Sequence, residues 1–454
     1  DYDFNRPFFD QFVELQRAVP RLSLMNKNSE NSDYCNITTD NKNCYLVFGG
    51  DYNEDCLYSC FSMHCKDTSD VYWINQGELA YDCVDCENVY NLRYSQRSFG
   101  CRDGAFLFEC RNCESCVACV GLVSKKFHIF NKPYSPEEYK HLVSIYRLDT
   151  WSGVQKMKAE FARFKLNFPH RAAFIINSEN CTGDDISGAK NAINSFSVKG
   201  PAEDLKDVFL TGLNVKDAAS SDHVGYGAEL YYEMLGSIAG HHCAFCAFSW
   251  ASNNTFYCDK VDNSHDLFGC SNMKRAEYCI LNKQYTKEEY ERLAARVVEH
   301  MKKTGEWGEF FPMENSLFAY NETVAQDYFP LSKEEVLAQG LKWQEEELHE
   351  VHSNNLPDSI HDVKDDVTKL SLVCEKTGRP YKIIPAELKL YRQMEIPIPR
   401  YAPETRNEIR LQLRNPIKTW DRKCSKCGRA VQSSYAPERP EIIYCESCYL
   451  AATY

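Results

Sequence analysis

Long stretches of this chain are broken into short apolar bursts of three to six residues, set apart by Asn, Asp, Ser, Gly or Cys. In the first half the bursts start near Cys44, Cys56, Val71, Leu79, Val89, Ala105, Cys116 and Phe127. A second series starts near Ile193, Val208, Leu230, Cys243, Thr255, Leu267 and Tyr278. No helix fits between such breaks, so both series predict short strands at close spacing. The recurring Asn-Cys and Asp-Cys steps favour a solenoid, in which small polar residues stack at the corners and Cys fills a narrow interior. A two-sheet sandwich is the alternative. Helices are expected at the flanks. Phe8, Phe12, Leu15 and Val19 form a stripe at helical spacing after Pro7. Capping boxes at Ser135/Glu138, Thr286/Glu289 and Ser332/Glu335 each announce a helix start, the last ending at Gly340.

The two series are copies of one unit. Asn-Ser-Glu-Asn occurs at 28–31 and again at 177–180, and Pro20 and Pro169 precede it at the same offset of 149. Residues 127–142 match 278–293 at an offset of 151, with eight of sixteen positions identical. The repeated units span about 20–146 and 169–297. The expected organisation is a lead-in helix and first unit over 1–146, and a second copy over 147–297. An aromatic irregular segment, short helix and acidic linker follow over 298–369, then a basic C-terminal module over 370–454. The fold class is mainly β with flanking helices: a duplicated solenoid-like unit plus a zinc ribbon.

The ribbon rests on Cys424, Cys427, Cys445 and Cys448, spaced C-x2-C-x17-C-x2-C. Gly428 relieves the first turn, and 441–444 reads as a strand into the second pair. Four thiolates complete a tetrahedron, which suits zinc and leaves no position for water, so the expected role of Zn2+ is structural. Upstream, Cys374 to Thr377 and Ala402 to Thr405 have ribbon spacing with three of four ligands replaced, which reads as the remnant of a second ribbon or as an unrelated small module. Cys110, Cys113, Cys116 and Cys119 form a C-x2-C run that resembles iron–sulfur spacing but lacks the closing C-x3-C-P. A ladder of solenoid cysteines, a second zinc and a cluster are the three readings; the pair Cys83 and Cys86 carries the same choice. His241-His242-Cys243-x2-Cys246 offers ligands too, but neighbours on a strand point to opposite faces, so wall residues are expected.

The chain has 454 residues and 23 cysteines, and no apolar run long enough for a membrane helix. That cysteine usage fits reduced thiols and metal in the cytoplasm rather than a disulfide framework. Net charge is −13, unevenly spread: residues 374–429 hold 14 Lys and Arg against 6 Asp and Glu, a net of +8, which leaves −21 for the rest. Residues 344–369 are acidic, including Glu345 to Glu347 and Asp365-Asp366. The basic stretch makes Arg406, Arg410, Arg414, Arg422 and Lys423 candidate polyanion contacts, with the first three at i, i+4 and i+8 on one helix face. The alternative is that this face docks on the protein's own acidic body, 344–369 being one place for it. No Gly-rich phosphate loop, G-x-S-x-G elbow or H-E-x-x-H is present.

Asp3-Phe4-Asn5-Arg6-Pro7-Phe8-Phe9, the Asn-Lys-x-Tyr helix starts, Tyr-Asn-Glu-Thr at 320–323 and the ending from Trp420 to Tyr449 together resemble an uncharacterised cysteine-rich zinc-ribbon family of candidate-phylum bacteria. The resemblance covers essentially the whole chain, and the ribbon is its most specific part. Members usually carry a further Cys-rich module ahead of the Asp-Phe-Asn-Arg-Pro string, which implies that this chain, opening at Asp1, starts within a longer protein. Some members carry a coenzyme A transferase label that no residue pattern here supports. The sequence therefore leads to a non-enzymatic scaffold, meeting a protein or an RNA or ribosomal partner through its basic module. A self-assembling structural element and an enzyme working in a solenoid groove are the alternatives.

Overall fold

The computed structural model describes residues 1–345, 350 and 354–453. Two stacks of β-coils dominate it, one built from strands between 26 and 133 and one from strands between 175 and 284. The sandwich alternative falls: neighbouring strands in both stacks pair in parallel, coil on coil, and only the last strand of each turns back antiparallel.

A three-residue rule generates the coils. In the first stack every third residue from Asn28 to Phe130 has φ near +50°, broken only where the register falls on Gly49, Gly100 and Gly121, themselves at positive φ. Away from the terminal coils, the residue after each such corner points into the lumen and the next points out. Four sides of three residues make a coil of twelve, which is the register seen in Tyr45↔Leu57, Cys56↔Thr68 and Leu107↔Cys119. The lumen holds Cys44, Val47, Cys56, Val71, Ile74, Cys83, Val89, Leu92 and Leu107, all buried. An inward residue every third position matches neither alternating strands nor helices, and it corrects the strand geometry expected for the histidines. His241 and His242 both face solvent, while Cys243 and Cys246 occupy the lumen.

Positive φ costs an L-residue roughly 1–2 kcal/mol, least for Asn and Asp. Many corners use those residues and link them between coils, while others hold Tyr34, Ile37, Leu46, Phe61 or Trp73. Asn31 donates to Asn43 (3.3 Å), and Asn43 to Asp55 (3.2 Å). The second stack repeats this with Asn180 to Asn191 (2.9 Å) and Asn191 to Asp204 (2.7 Å). One outer face carries Glu30, Lys42, Glu54 and Lys66 in register, and its counterpart carries Glu179, Lys190, Glu203 and Lys216. Alternation avoids like charges directly stacked on adjacent strands.

Coil length explains the two repeat offsets. Glu179↔Lys190 closes a coil of 11, while Lys190↔Glu203, Glu203↔Lys216 and Lys216↔Glu229 each close one of 13. The net gain of two residues moves the offset from 149 to 151. The irregular coils need glycine: a Cβ on Gly200 would lie 1.9 Å from the Gly188 carbonyl oxygen.

Helices Pro136–Ile145 and Lys287–Thr304 close the stacks, and both capping boxes form, as does that of Lys333–Ala338. Helix Phe8–Ala18 lays Phe8 and Phe12 against Tyr257 and Phe268 of the second stack and Phe311 beyond it. Its first turn lacks a side-chain cap, and the Glu306 carboxylate accepts from the Phe8 and Phe9 amides at 2.9 and 2.7 Å. The stacks lie side by side and antiparallel. Phe99 stacks on Phe174, Phe61 meets His223, and Tyr226 reaches Met63. No helix among the described residues is long and apolar enough to cross a membrane.

Candidate metal centre

The C-terminal module is built from a small hairpin, Trp420–Lys423 against Ala430–Ser433, whose tip holds the first cysteine pair. The Cys424 amide donates to the Arg429 carbonyl (2.8 Å) and the Gly428 amide to the Cys424 carbonyl (2.9 Å), with Gly428 at φ +75°. The Ser425 amide donates to Ile443 (2.8 Å), so the tip is tied to the strand that delivers the second pair. Cys445 and Cys448 then stand at the start of helix Glu446–Thr453 rather than in a second free turn. A helix N-terminus favours thiolates.

Four sulfurs converge here. The ligand atoms of Cys424, Cys427, Cys445 and Cys448 all lie within 4.8 Å of one another, and Cys427 Sγ and Cys445 Sγ are 3.7 Å apart. Cys424 and Cys445 are buried, Cys448 half-buried and Cys427 exposed. Burial raises the Cys424 thiol, but amides of Cys445, Cys427 and Lys426 outweigh it and bring it down to about 6. The Ser447 hydroxyl and the Cys448 amide lower Cys445 as well. The arrangement can hold one metal ion through sulfur alone.

The site is joined to the coils. Strand Ile442–Tyr444 pairs in parallel with Pro169–Arg171 at the entrance to the second stack. Arg171 lies over the Tyr449 ring (4.8 Å) and within 3.3 Å of Glu446, both on the helix that carries Cys448.

The segment around Cys374 has the same local geometry. The Cys374 amide donates to Arg379 (2.8 Å), Gly378 to Cys374 (2.8 Å) and Glu375 to Arg400 (3.0 Å), the counterparts of the three bonds at Cys424. Where metal would sit, the Cys374 thiol donates to the Thr405 hydroxyl (3.5 Å).

Cys110, Cys113, Cys116 and Cys119 are the four lumenal residues of one coil, pointing inward from its four sides. Among the described residues the ribbon quartet is the only gathering of three or more potential ligands within bonding range of one ion. The run lines the lumen as a ladder instead of gathering round one point, and Cys83, Cys86, Cys243 and Cys246 are likewise lumenal wall.

The arginine row is corrected. Arg406 and Arg410 are buried, and both reach Asp70 Oδ1, at 2.9 and 2.7 Å. Arg406 also approaches Glu387 (3.3 Å). Arg414 lies between Asp85 (3.3 Å) and Asp185 (3.7 Å), one from each stack. None of the three faces an external polyanion. The row docks on the coils themselves, while the 344–369 region contributes Asp358 to Arg400 (4.0 Å) and Asp365 to Arg392 (2.6 Å); Glu346 and Glu347 lie outside the described residues. Arg422 is half-buried and donates to the Ala436 carbonyl (3.0 Å), leaving Lys423 as the one exposed member of the five. Sequence reasoning missed Asp70, Asp85 and Asp185, whose arginine partners lie far along the chain, and Glu387, 19 residues before Arg406. Acids do gather at the seam between the stacks, but Asp184 faces Arg97 (3.8 Å) and Asp185 faces Lys199 (3.0 Å). No protein-family model matches this chain, and no curated protein matches it in sequence.

Proposed function

We propose that this protein is a non-enzymatic, zinc-containing scaffold of the cytoplasm whose ribbon presents a basic edge to RNA. The observation that carries the reading is the closed four-cysteine cluster tied by backbone to the coils, with its outer edge basic. Four thiolates with no open position suit zinc in a folding role, because a d10 ion accepts the tetrahedron and no water is left to activate. With the arginine row consumed internally, the exposed cations of the ribbon are Lys418, Lys423, Lys426 and Arg429, all within one hairpin and its approach. The outer faces of the stacks are long and repetitive, the form that repeat proteins use for partners. The seam acids are each held by a guanidinium or ammonium group, which disfavours acid–base work there. A reducing compartment fits the many lumenal thiols.

The test is a titration of the full chain with single-stranded RNA at two salt concentrations. Binding should weaken with salt, and reversing Lys423 and Lys426 to Glu should flatten the log–log slope by about 0.7 for each phosphate no longer neutralised. Salt-insensitive binding, or none, removes RNA as the partner and leaves the protein-partner version of the scaffold.

A further inference from the structure

Successive coils of the first stack place Arg97, Glu109 and Gly121 at one corner, all at positive φ. The first two carry side chains into the seam, and the third carries none. A Cβ on Gly121 would meet no atom within 4 Å. A hollow lies there, walled by Arg97, Glu109 and Arg111 of the stack, Arg171 of the strand that enters the second stack, and Tyr449 of the ribbon helix. Phe99 and Phe174, stacked on each other, form its apolar side. The hollow and its mouth hold about 300 Å³ of unfilled space.

The second copy has the same corner, filled. Gly121 corresponds to Asn272, at φ +55°, whose amide donates to the Pro20 carbonyl. Lys260, the counterpart of Glu109, reaches the Leu22 carbonyl (3.1 Å). Residues 20–22 are in turn the counterpart of 169–171: Arg21 pairs with Asp259, and His170 meets Phe108, the residue that corresponds to Asp259. Phe248 and Asp262 stand where the first copy has Arg97 and Arg111. The duplicated architecture therefore closes without this gathering of cations.

The polar groups of the hollow are short of partners. The side chains of Arg97, Glu109 and Arg171 are 8, 7 and 5% exposed. The carboxylates of Glu109 and Asp184 stand 3.7 and 3.8 Å from Arg97, beyond hydrogen-bond length. Arg171 Nε, 3.3 Å from Glu446, makes no hydrogen bond. Glu109 Oε1 accepts none, the Tyr449 hydroxyl going to the other oxygen. Unsatisfied buried donors beside an unsatisfied buried acceptor mark a place for a ligand that offers both.

We propose that this hollow binds hydrogen phosphate. Three guanidinium groups against the one carboxylate of the wall leave two positive charges in excess, which matches the phosphate dianion. Guanidinium forks suit phosphate oxygens. The free Glu109 oxygen adds selectivity: a carboxylate only accepts, hydrogen phosphate has a proton to give, and sulfate has none. Lys423 and Lys426 take no part in the wall, so the site stands independently of the RNA reading.

The experiment is calorimetric titration of the zinc-loaded, phosphate-free full chain with phosphate, sulfate and phenyl phosphate in turn, at about pH 8, where free phosphate keeps one proton and a monoester keeps none. One phosphate should bind per chain, and the other two anions at least about tenfold more weakly, the scale of one hydrogen bond to a charged group. Gly121→Asn should fill the hollow and abolish binding. Asn272 already holds that corner conformation, so the variant is expected to fold, and retained zinc with an unchanged far-ultraviolet spectrum checks this. Glu109→Gln puts an amide donor where the wild type can only accept, and should strengthen sulfate relative to phosphate, a gain that misfolding cannot produce. Lys423→Glu/Lys426→Glu should leave phosphate binding intact. A wild type that binds no phosphate, sulfate or phenyl phosphate bound as well as phosphate, a folded Gly121→Asn that binds like the wild type, or binding lost with the two lysines would each overturn the proposal.

Discussion

Asp70 is 1% exposed and faces two guanidinium groups, which makes it the sharpest residue-scale test of how the C-terminal module is held. Burial alone would raise its carboxyl; Arg406 and Arg410 outweigh that and hold it below the ordinary range. Asp70→Asn removes the partner of two buried cations, and breaking a buried pair this way costs about 3–5 kcal/mol. Since the folded carboxyl is the stronger acid, its contribution is complete above the unfolded value of about 3.9 and is lost as pH falls through the lower folded value. Urea unfolding of wild type and Asp70→Asn should therefore differ most at neutral pH, and the gap should narrow below about pH 4. A gap independent of pH would mean that the effect is steric. Glu387 behaves in the opposite sense: burial raises it in spite of Arg406, so stability from this group is lost as pH rises through that raised value. None of this was legible in the sequence. The spacing of Arg406 and Arg410 correctly placed them on one face of helix Pro403–Leu411, with Arg414 beyond its end. Spacing cannot say what such a face meets, because Asp70 lies 336 residues before Arg406.

The coil is the element that repeats, and its corners set its stability. Asn43 stands at φ +54° between Asn31 and Asp55. Asn43→Gly keeps the conformation and loses two side-chain bonds, one exposed and one part-buried. Asn43→Val adds the strain of a branched side chain at positive φ, about 1–2 kcal/mol. Thermal unfolding should rank wild type above Gly and Gly above Val; equal losses would contradict the corner account. Much of this element was readable. The apolar bursts, the polar breaks and the choice of a solenoid follow from composition and spacing, and the capping boxes located the closing helices. The step of three did not emerge, because a lumenal residue every third position falls between the periods of strand and helix. The order Glu30, Lys42, Glu54, Lys66 does carry the coil length in the sequence. Coils of 11 and 13 residues in the second stack blur the same signal there.

At the scale of the whole molecule, two antiparallel stacks share a seam and the C-terminal module fastens across it. Arg414 touches an acid from each stack, and strand Ile442–Tyr444 extends the pairing of residues 169–171. The metal centre is therefore expected to hold more than its own loop: without metal, the strand at 169–171 should lose its partner, and amide exchange there should quicken. The four ligands were fully legible, since C-x2-C pairs at ribbon spacing carry their own geometry. Their attachment to the second stack was not, because nothing local to either segment specifies a parallel pairing across more than 270 residues. Elemental analysis of the purified chain beside its Cys445→Ser variant reads the metal centre outright. At least one tightly held zinc per chain is expected in the wild type and one fewer in the variant, with faster amide exchange at 170–172. A wild-type chain that is folded and free of zinc would contradict that expectation.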